Sequence, residues 1–141
     1  MTSSLSIRLM IDQDLRELSS IYIRAFEDPE LKEEWTEESA YALLCDWYKR
    51  QPDLAFSAQW ENKLVGAFII GVRPWWDGNH LVDGELFVAP EAQMGRELVR
   101  QVLLTAKQKY APVTWETYTF RGQEFPLGWI KKGRLHSWRT T

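Results

Sequence analysis

This chain of 141 residues has one cysteine, two histidines and no apolar run long enough to cross a membrane. Each scarcity excludes something. A lone cysteine, Cys45, cannot close a disulfide within the chain and fits a reducing compartment. His80 and His136, taken with that cysteine, give no metal-ligand spacing, so no metal is expected. Cys45 sits between Leu44 and Asp46 in a helical stretch with no histidine near it in sequence, and it reads as a small core residue rather than a nucleophile. Met1 to Ser6 lacks a basic region followed by an apolar run, so a signal peptide is not expected and a cytoplasmic protein is. The net charge of −3 argues against a dedicated nucleic-acid binder. Internal repeats, low-complexity segments and a linker are also missing, so residues 1–141 are expected to form a single domain.

What remains is an ordinary globular composition, 45% apolar and 26% charged, with one oddity. Eight tryptophans are spread from Trp35 to Trp138. In chain order, Ile7 to Ile11 predicts a first strand. Asp12 is the expected N-cap of a helix whose face is Leu15, Leu18, Tyr22, Ala25 and Phe26, and Asp28-Pro29 ends it. A second helix is predicted from Thr36, with Ala40, Leu43, Leu44 and Trp47 as its buried stripe, stopping before Pro52. Leu54 to Trp60 reads as a strand, and Glu61-Asn62-Lys63 as a tight turn. Leu64 to Val72 is almost continuously apolar, which predicts a central strand covered on both faces. Arg73 to Asn79 is expected to be a loop, Pro112 to Tyr118 a strand, Phe125 to Lys132 a short helix and Gly133 to Trp138 a last strand.

The most informative stretch runs from Leu81 to Tyr110. Leu81 to Val88 is rich in strand formers and stops just before Pro90. Past Gly95, the residues Leu98, Val99, Val102, Leu103, Ala106 and Tyr110 recur at helical spacing. A strand, a short polar turn and a helix N-terminus make an anion cradle, because unpaired N–H groups and the positive end of the helix dipole both face the turn.

The run Glu85-Leu86-Phe87-Val88-Ala89-Pro90-Glu91 resembles the end of the fourth strand in the GNAT acetyltransferase superfamily. There the strand leads into V-x-P-x-x-[R/Q]-x-x-G-x-[G/A], whose amides hold the pyrophosphate of acetyl-CoA. With Gln93 at the Arg/Gln position, the two glycine positions fall on Arg96 and Leu98; with Gly95 as the last glycine, the turn is three residues short. Either register leaves one glycine where the family has two. Near the C-terminus, Trp129-Ile130-Lys131-Lys132-Gly133-Arg134 is similar to the family's A-x-x-[L/F]-Y-x-K-x-G-F, with Trp129 at the tyrosine and Arg134 at the phenylalanine. The element order β-α-α-β-β-β-α-β-α-β is that of the family. The resemblance thus implies an α+β fold, a mixed and mainly antiparallel central sheet flanked by helices.

It also implies acetyl-CoA as a substrate and an amine acceptor, either a small molecule or a protein amino group. Phe87, Val88 and Ala89 would pair with the pantetheine arm through their backbone. Gln93, Met94, Gly95 and Arg96 would offer amides to the pyrophosphate, with Arg96 and Arg100 one turn apart and adding charge. The alternative for this stretch is a plain strand-to-helix connection with solvated arginines.

Removing a proton from the amine needs a base, and the sequence offers His80, Asp83 and Glu85. Asp83 and Glu85 share a face by the two-residue period, with His80 on the other. Glu85 is the first choice and His80 the second, against the plainer reading of solvent-facing charges. For the acid, Trp129 cannot give up a proton, so Tyr118 or water takes the role of the family's tyrosine. Trp75 and Trp76 are candidates for the floor of an acceptor pocket or for a protein contact. Trp35, beside Glu33 and Glu34, falls where the family builds the acceptor wall, and acids there would suit a cationic amine. Two functions stay open: an N-acetyltransferase, and a GNAT-fold module without turnover that acts through a protein partner. An edge strand near the C-terminus offers a place for a homodimer.

Overall fold

The computed structural model describes residues 5–27, 33–76, 78–92, 95–110, 113–118, 130–132 and 135–139, with the side chains at 75, 80–84, 95–96 and beyond 110 outside that description. Seven strands form one sheet in the order β1-β2-β3-β4-β5-β7-β6. They are β1 (Leu5–Leu9), β2 (Ala55–Trp60), β3 (Lys63–Trp75), β4 (Gly78–Val88), β5 (Val113–Tyr118), β6 (Ile130–Lys132) and β7 (Leu135–Arg139). Helices α1 (Leu15–Ala25) and α2 (Glu37–Arg50) lie between β1 and β2 in sequence, and α3 (Gly95–Tyr110) between β4 and β5. Every ladder is antiparallel except β4 with β5.

The sheet is covered on both faces because β3 alternates between two cores. Phe68 and Ile70 pack with Leu98, Val99, Val102, Leu103 and Ala106 of α3. Ala67 and Ile69 pack with Leu15, Leu18, Ile21 and Tyr22 of α1 and with Ala40 and Leu44 of α2. The unbroken apolar run of β3 follows from this double burial. Its hairpin from β2 turns at Glu61 and Asn62, both at positive φ (51° and 67°), a conformation asparagine tolerates and a two-residue hairpin requires.

Thr36 caps α2 as expected. The Ser39 N–H donates to its Oγ1 (3.1 Å) and the Thr36 N–H to Ser39 Oγ (2.9 Å). Asp12 does not cap α1. Asp12–Asp14 forms a 3-10 turn instead, and Asp14 is drawn inside, where it is 5% exposed. Arg8 donates to both of its oxygens (2.7 and 2.8 Å), and the Ile11 N–H (3.0 Å) and Ser57 hydroxyl (2.9 Å) donate to Oδ2. Burial alone would raise this carboxyl, but the Arg8 fork and the two further donors outweigh it and hold it below its ordinary value.

Two other expectations are corrected. Arg73 to Asn79 is not an open loop, since β3 runs to Trp75 and β4 starts at Gly78, a glycine with φ 127° that lets the hairpin close within two residues. Ile130–Lys132 is not the end of a helix but a strand antiparallel to β7, and residues 119–129 lie outside the described residues. Asn79 then fixes the start of β4 by donating to the Tyr110 carbonyl (2.6 Å), while the Tyr110 hydroxyl bonds Asp53.

Candidate functional site at the opening of the fourth strand

Strand β4 has two halves with different neighbours. Asn79–Val82 pairs on one side with β3 and on the other, in parallel, with Val113–Glu116 of β5. The parallel ladder stops there, although β4 continues to Val88 and β5 to Tyr118, and β5 stays paired on its other side with β7 over Thr114–Tyr118. At the same level β4 carries an extra residue. Ile69 pairs with Glu85 and Ile70 with Asp83, which leaves Gly84 as the bulge. A bulge increases local twist, and here it accompanies the parting of the two strands.

Past the bulge, β4 is paired among the described residues from the β3 side alone. Val65 is the extra residue in a second bulge, where β3 slips against β2, and its carbonyl accepts the Ala89 N–H at 2.6 Å. Amide directions alternate along a strand, so Val88 presents its N–H and C=O to the opposite edge, where no strand pairs with it among the described residues. The close approach of β3 and β4 requires glycine at Gly66. A Cβ there would run into the Phe87 carbonyl oxygen and lie 3.0 Å from Val88 Cα.

The turn after β4 is closed by the Ala92 N–H donating to the Ala89 carbonyl (2.9 Å), and Arg24 of α1 reaches both oxygens of Glu91 (3.0 and 3.3 Å). Helix α3 starts at Gly95, so its first-turn amides follow this turn directly.

On the α1–α2 face of the sheet, Glu85 accepts a hydrogen bond from the Tyr22 hydroxyl at 3.2 Å. Tyr22 is 3% exposed and is walled by Phe26, Trp35 and Phe87, with ring centroids 4.6, 5.1 and 5.1 Å away. Burial first, then the charge of Glu85 and the bond to it, and last the charge of Glu33, push the Tyr22 hydroxyl far above an ordinary phenol. It is a fixed donor. Trp35 points its indole N–H at Glu33 (3.0 Å). An apolar wall therefore carries carboxylates at its rim.

Of the residues singled out from sequence, Glu85, Phe87 and Trp35 are gathered around Tyr22. Val88 faces the open edge, but the Ala89 N–H is spent on Val65, so a ligand lying along that edge would meet Val88 rather than Ala89. The Gly84 bulge interrupts the two-residue period between Asp83 and Glu85, and the Asp83 side chain lies outside the described residues. His80 is paired with Arg73 and Thr114 five residues before Glu85, roughly 16 Å along the strand, and its side chain lies outside the described residues. Tyr118 lies two residues past the last β4–β5 pair, across the opening, its side chain likewise outside the description.

Gln93 and Met94 lie outside the described residues, and Gly95 and Arg96 are the first two residues of α3. Arg100 is exposed and pairs with Glu97 (3.4 Å). Trp76 is at the tip of the β3–β4 hairpin, 84% exposed, with roughly 24 Å of strand between Gly78 and Glu85, so it does not join Trp35; the Trp75 side chain lies outside the description. Sequence reasoning missed Tyr22, for which one signal existed: a tyrosine on a buried helical stripe needs a partner for its hydroxyl. Among the described residues no group of three or more His, Cys, Asp or Glu is placed to hold a metal ion, and no helix is long and apolar enough to cross a membrane.

A sequence model described as "Acetyltransferase (GNAT) family" matches residues 15–121. The chain belongs to the GNAT acetyltransferase family. The match spans α1 to just past β5 and so contains both halves of β4 and the turn. No curated protein matches the chain by sequence. Solved structures share the GNAT fold. The PaiA N-acetyltransferase from Thermoplasma acidophilum, in complex with coenzyme A, is similar with a TM-score of 0.66 and 16% identity, over 95% of this chain and 96% of that one. A GNAT family acetyltransferase from Brucella melitensis, in complex with acetyl-CoA, gives 0.64 and 14% over 99% and 90%. A ribosomal-protein-alanine N-acetyltransferase from the same organism gives 0.58 and 22% over 82% and 76%. At these identities the likeness is one of fold, and this chain's α+β sheet with its helices on both faces is the GNAT architecture.

Proposed function

We propose that this GNAT domain transfers the acetyl group of acetyl-CoA to an amine, with Glu85 as the base. The observation that carries the reading is the open edge of β4, whose parallel ladder ends at Val82 while the strand runs to Val88. Main-chain groups that no strand pairs among the described residues can take a ligand as partner, and the amide-containing pantetheine arm carries the donors and acceptors for it. Two structures of the same fold are complexes with coenzyme A or acetyl-CoA. The turn and the first amides of α3 follow Val88 and suit the pyrophosphate.

In the reaction the amine nitrogen attacks the thioester carbonyl, a C–N bond forms and the C–S bond breaks. The amine proton passes to Glu85, directly or through water, and the departing thiolate takes up a proton from Tyr118 or solvent. Trp35, with Glu33 at the rim, supports an acceptor carrying positive charge. A cytoplasmic setting belongs to this proposal.

The test is a thermal-shift titration with acetyl-CoA, CoA and ATP, followed by thiol-release assays with spermidine and with a peptide bearing a free N-terminal alanine. A rise in Tm with acetyl-CoA and CoA but not ATP is expected, because a ligand of the folded state alone must stabilise it. No shift at millimolar acetyl-CoA overturns the reading. One observation favours a second reading, a GNAT-fold module acting through a protein partner: Trp76 stands 84% exposed at a hairpin tip far from Glu85. Binding of acetyl-CoA with no transfer to either acceptor supports that module.

A further inference from the structure

We infer that Tyr22 is a positioning residue for Glu85, an inference that rests on the proposed role of Glu85 as base. Two residues 63 positions apart in sequence meet here through a single hydroxyl, 3.2 Å from Glu85 Oε2. Three aromatic rings fix where that hydroxyl can be, since Phe26, Trp35 and Phe87 all lie within 5.1 Å of the Tyr22 ring, two of them edge-on. A side chain 3% exposed and so enclosed cannot turn its hydroxyl to water. Its donor is committed to the carboxylate.

The carboxylate, by contrast, stands on a strand that has just passed a bulge and, among the described residues, has no strand beside it on the β5 side, so a long glutamate needs side-chain contacts to fix its direction. Tyr22 supplies one. The bond selects the rotamer that points Glu85 at α1 and the Trp35 wall, and it favours the ionised form, which is the form a base needs. The titratable groups near this point include the Tyr22 phenol from α1, the Glu33 carboxylate beside Trp35, and Glu85 itself from β4. Glu33 acts on the Tyr22 hydroxyl in the same sense as Glu85, raising it and keeping it protonated as a donor.

The experiment compares wild type, Tyr22→Phe and Glu85→Gln. Phenylalanine keeps the ring packing and removes only the hydroxyl, and a Tm close to wild type checks that. Carboxyl carbon NMR with ¹³C-labelled glutamate follows the Glu85 resonance, identified by its loss in Glu85→Gln. In Tyr22→Phe the Glu85 titration is expected to move up by about one pH unit, the order set by losing a donor to a charged group. With whichever of spermidine or the alanine peptide supports turnover, the acid limb of kcat/KM is expected to move by the same amount, and the KM for acetyl-CoA to stay as it was. An unchanged titration and pH profile in Tyr22→Phe overturns the inference. Full activity in Glu85→Gln overturns instead the assignment of Glu85 as base, and the two failures are distinguishable.

Discussion

Two carboxylates lie against the same face of the sheet and are treated in opposite ways. Asp14 is sealed at 5% exposure and surrounded by four donors, two of them from one guanidinium. Glu85 is half-buried and takes the Tyr22 hydroxyl beside a ladder that has stopped. A carboxylate held by four donors is a joint between β1, the first turn and β2. In the proposed reaction, the one that stands where two strands part is the one met by a ligand entering the opening. The difference in surroundings, rather than in residue type, separates structure from site.

The largest effect should come from converting the second carboxylate into something like the first. Glu85→Gln keeps a hydrogen-bond acceptor for Tyr22 but cannot take a proton, so kcat should fall about 10²–10⁴-fold, the usual contribution of a general base, with little change in Tm. Steady-state kinetics at saturating acetyl-CoA check it. A loss below tenfold would put Glu85 back among ordinary polar residues.

Next comes Asp14→Ala, which leaves the Arg8 fork, the Ile11 N–H and the Ser57 hydroxyl without their acceptor. Arg8 keeps contact with water at 36% side-chain exposure, so the cost is set at about 2–3 kcal/mol rather than at the larger figure for a sealed pair. Denaturant melts measure it. The carboxyl is held below its ordinary value in the folded chain, so its contribution is present above the unfolded carboxylate range near pH 4 and lost as pH falls below it. Asp14→Asn should flatten that acid loss, and an unchanged slope would show that other carboxylates dominate acid unfolding.

Gly66→Ala comes third and ties the comparison to the opening itself. The new methyl meets the Phe87 carbonyl oxygen and the Val88 backbone, neither of which is a flexible side-chain end. Overpacking of this kind costs about 1–3 kcal/mol. Because the displaced segment is the half of β4 past its parallel ladder, acetyl-CoA affinity should fall along with Tm, and calorimetry against thermal melts separates the two. A loss of Tm with affinity intact would mean that the edge at Val88 does not carry the ligand.

The frame of this molecule was legible where periodicity was strong. Leu64 to Val72 and the α3 stripe could be read because burial on two faces and on one face leave different apolar patterns, and Thr36 could be read because a cap is local. What escaped was non-local or depended on one residue of register. The Gly84 bulge changes no composition yet shifts the register of β4 by one residue just before Glu85. The hairpin at Trp75–Gly78 looked like a loop because Pro74 and the paired tryptophans break the alternation, while a β ladder tolerates both at such a tip. Tyr22 with Glu85 and Arg8 with Asp14 are contacts made by the fold, and no spacing in the chain announces them.

The smallest effect is expected from Arg24→Ala, and its smallness is informative. Arg24 and Glu91 are 48% and 62% exposed, in a setting where an ion pair gains little over two solvated charges, so Tm should move by less than about 2 °C. Yet this pair joins the last turn of α1 to the turn that follows β4, so the α1 wall and the proposed pyrophosphate turn touch here through side chains. With Arg24 occupied by Glu91, its removal should alter acetyl-CoA affinity by no more than about twofold at physiological salt, where exposed charges are largely screened. A tenfold loss that shrinks as salt is raised would mean that Arg24 leaves Glu91 for the ligand's phosphates. In that case α1 would contribute to both parts of the site, directing the carboxylate through Tyr22 and gripping the anion through Arg24, and the division between wall and cradle would dissolve.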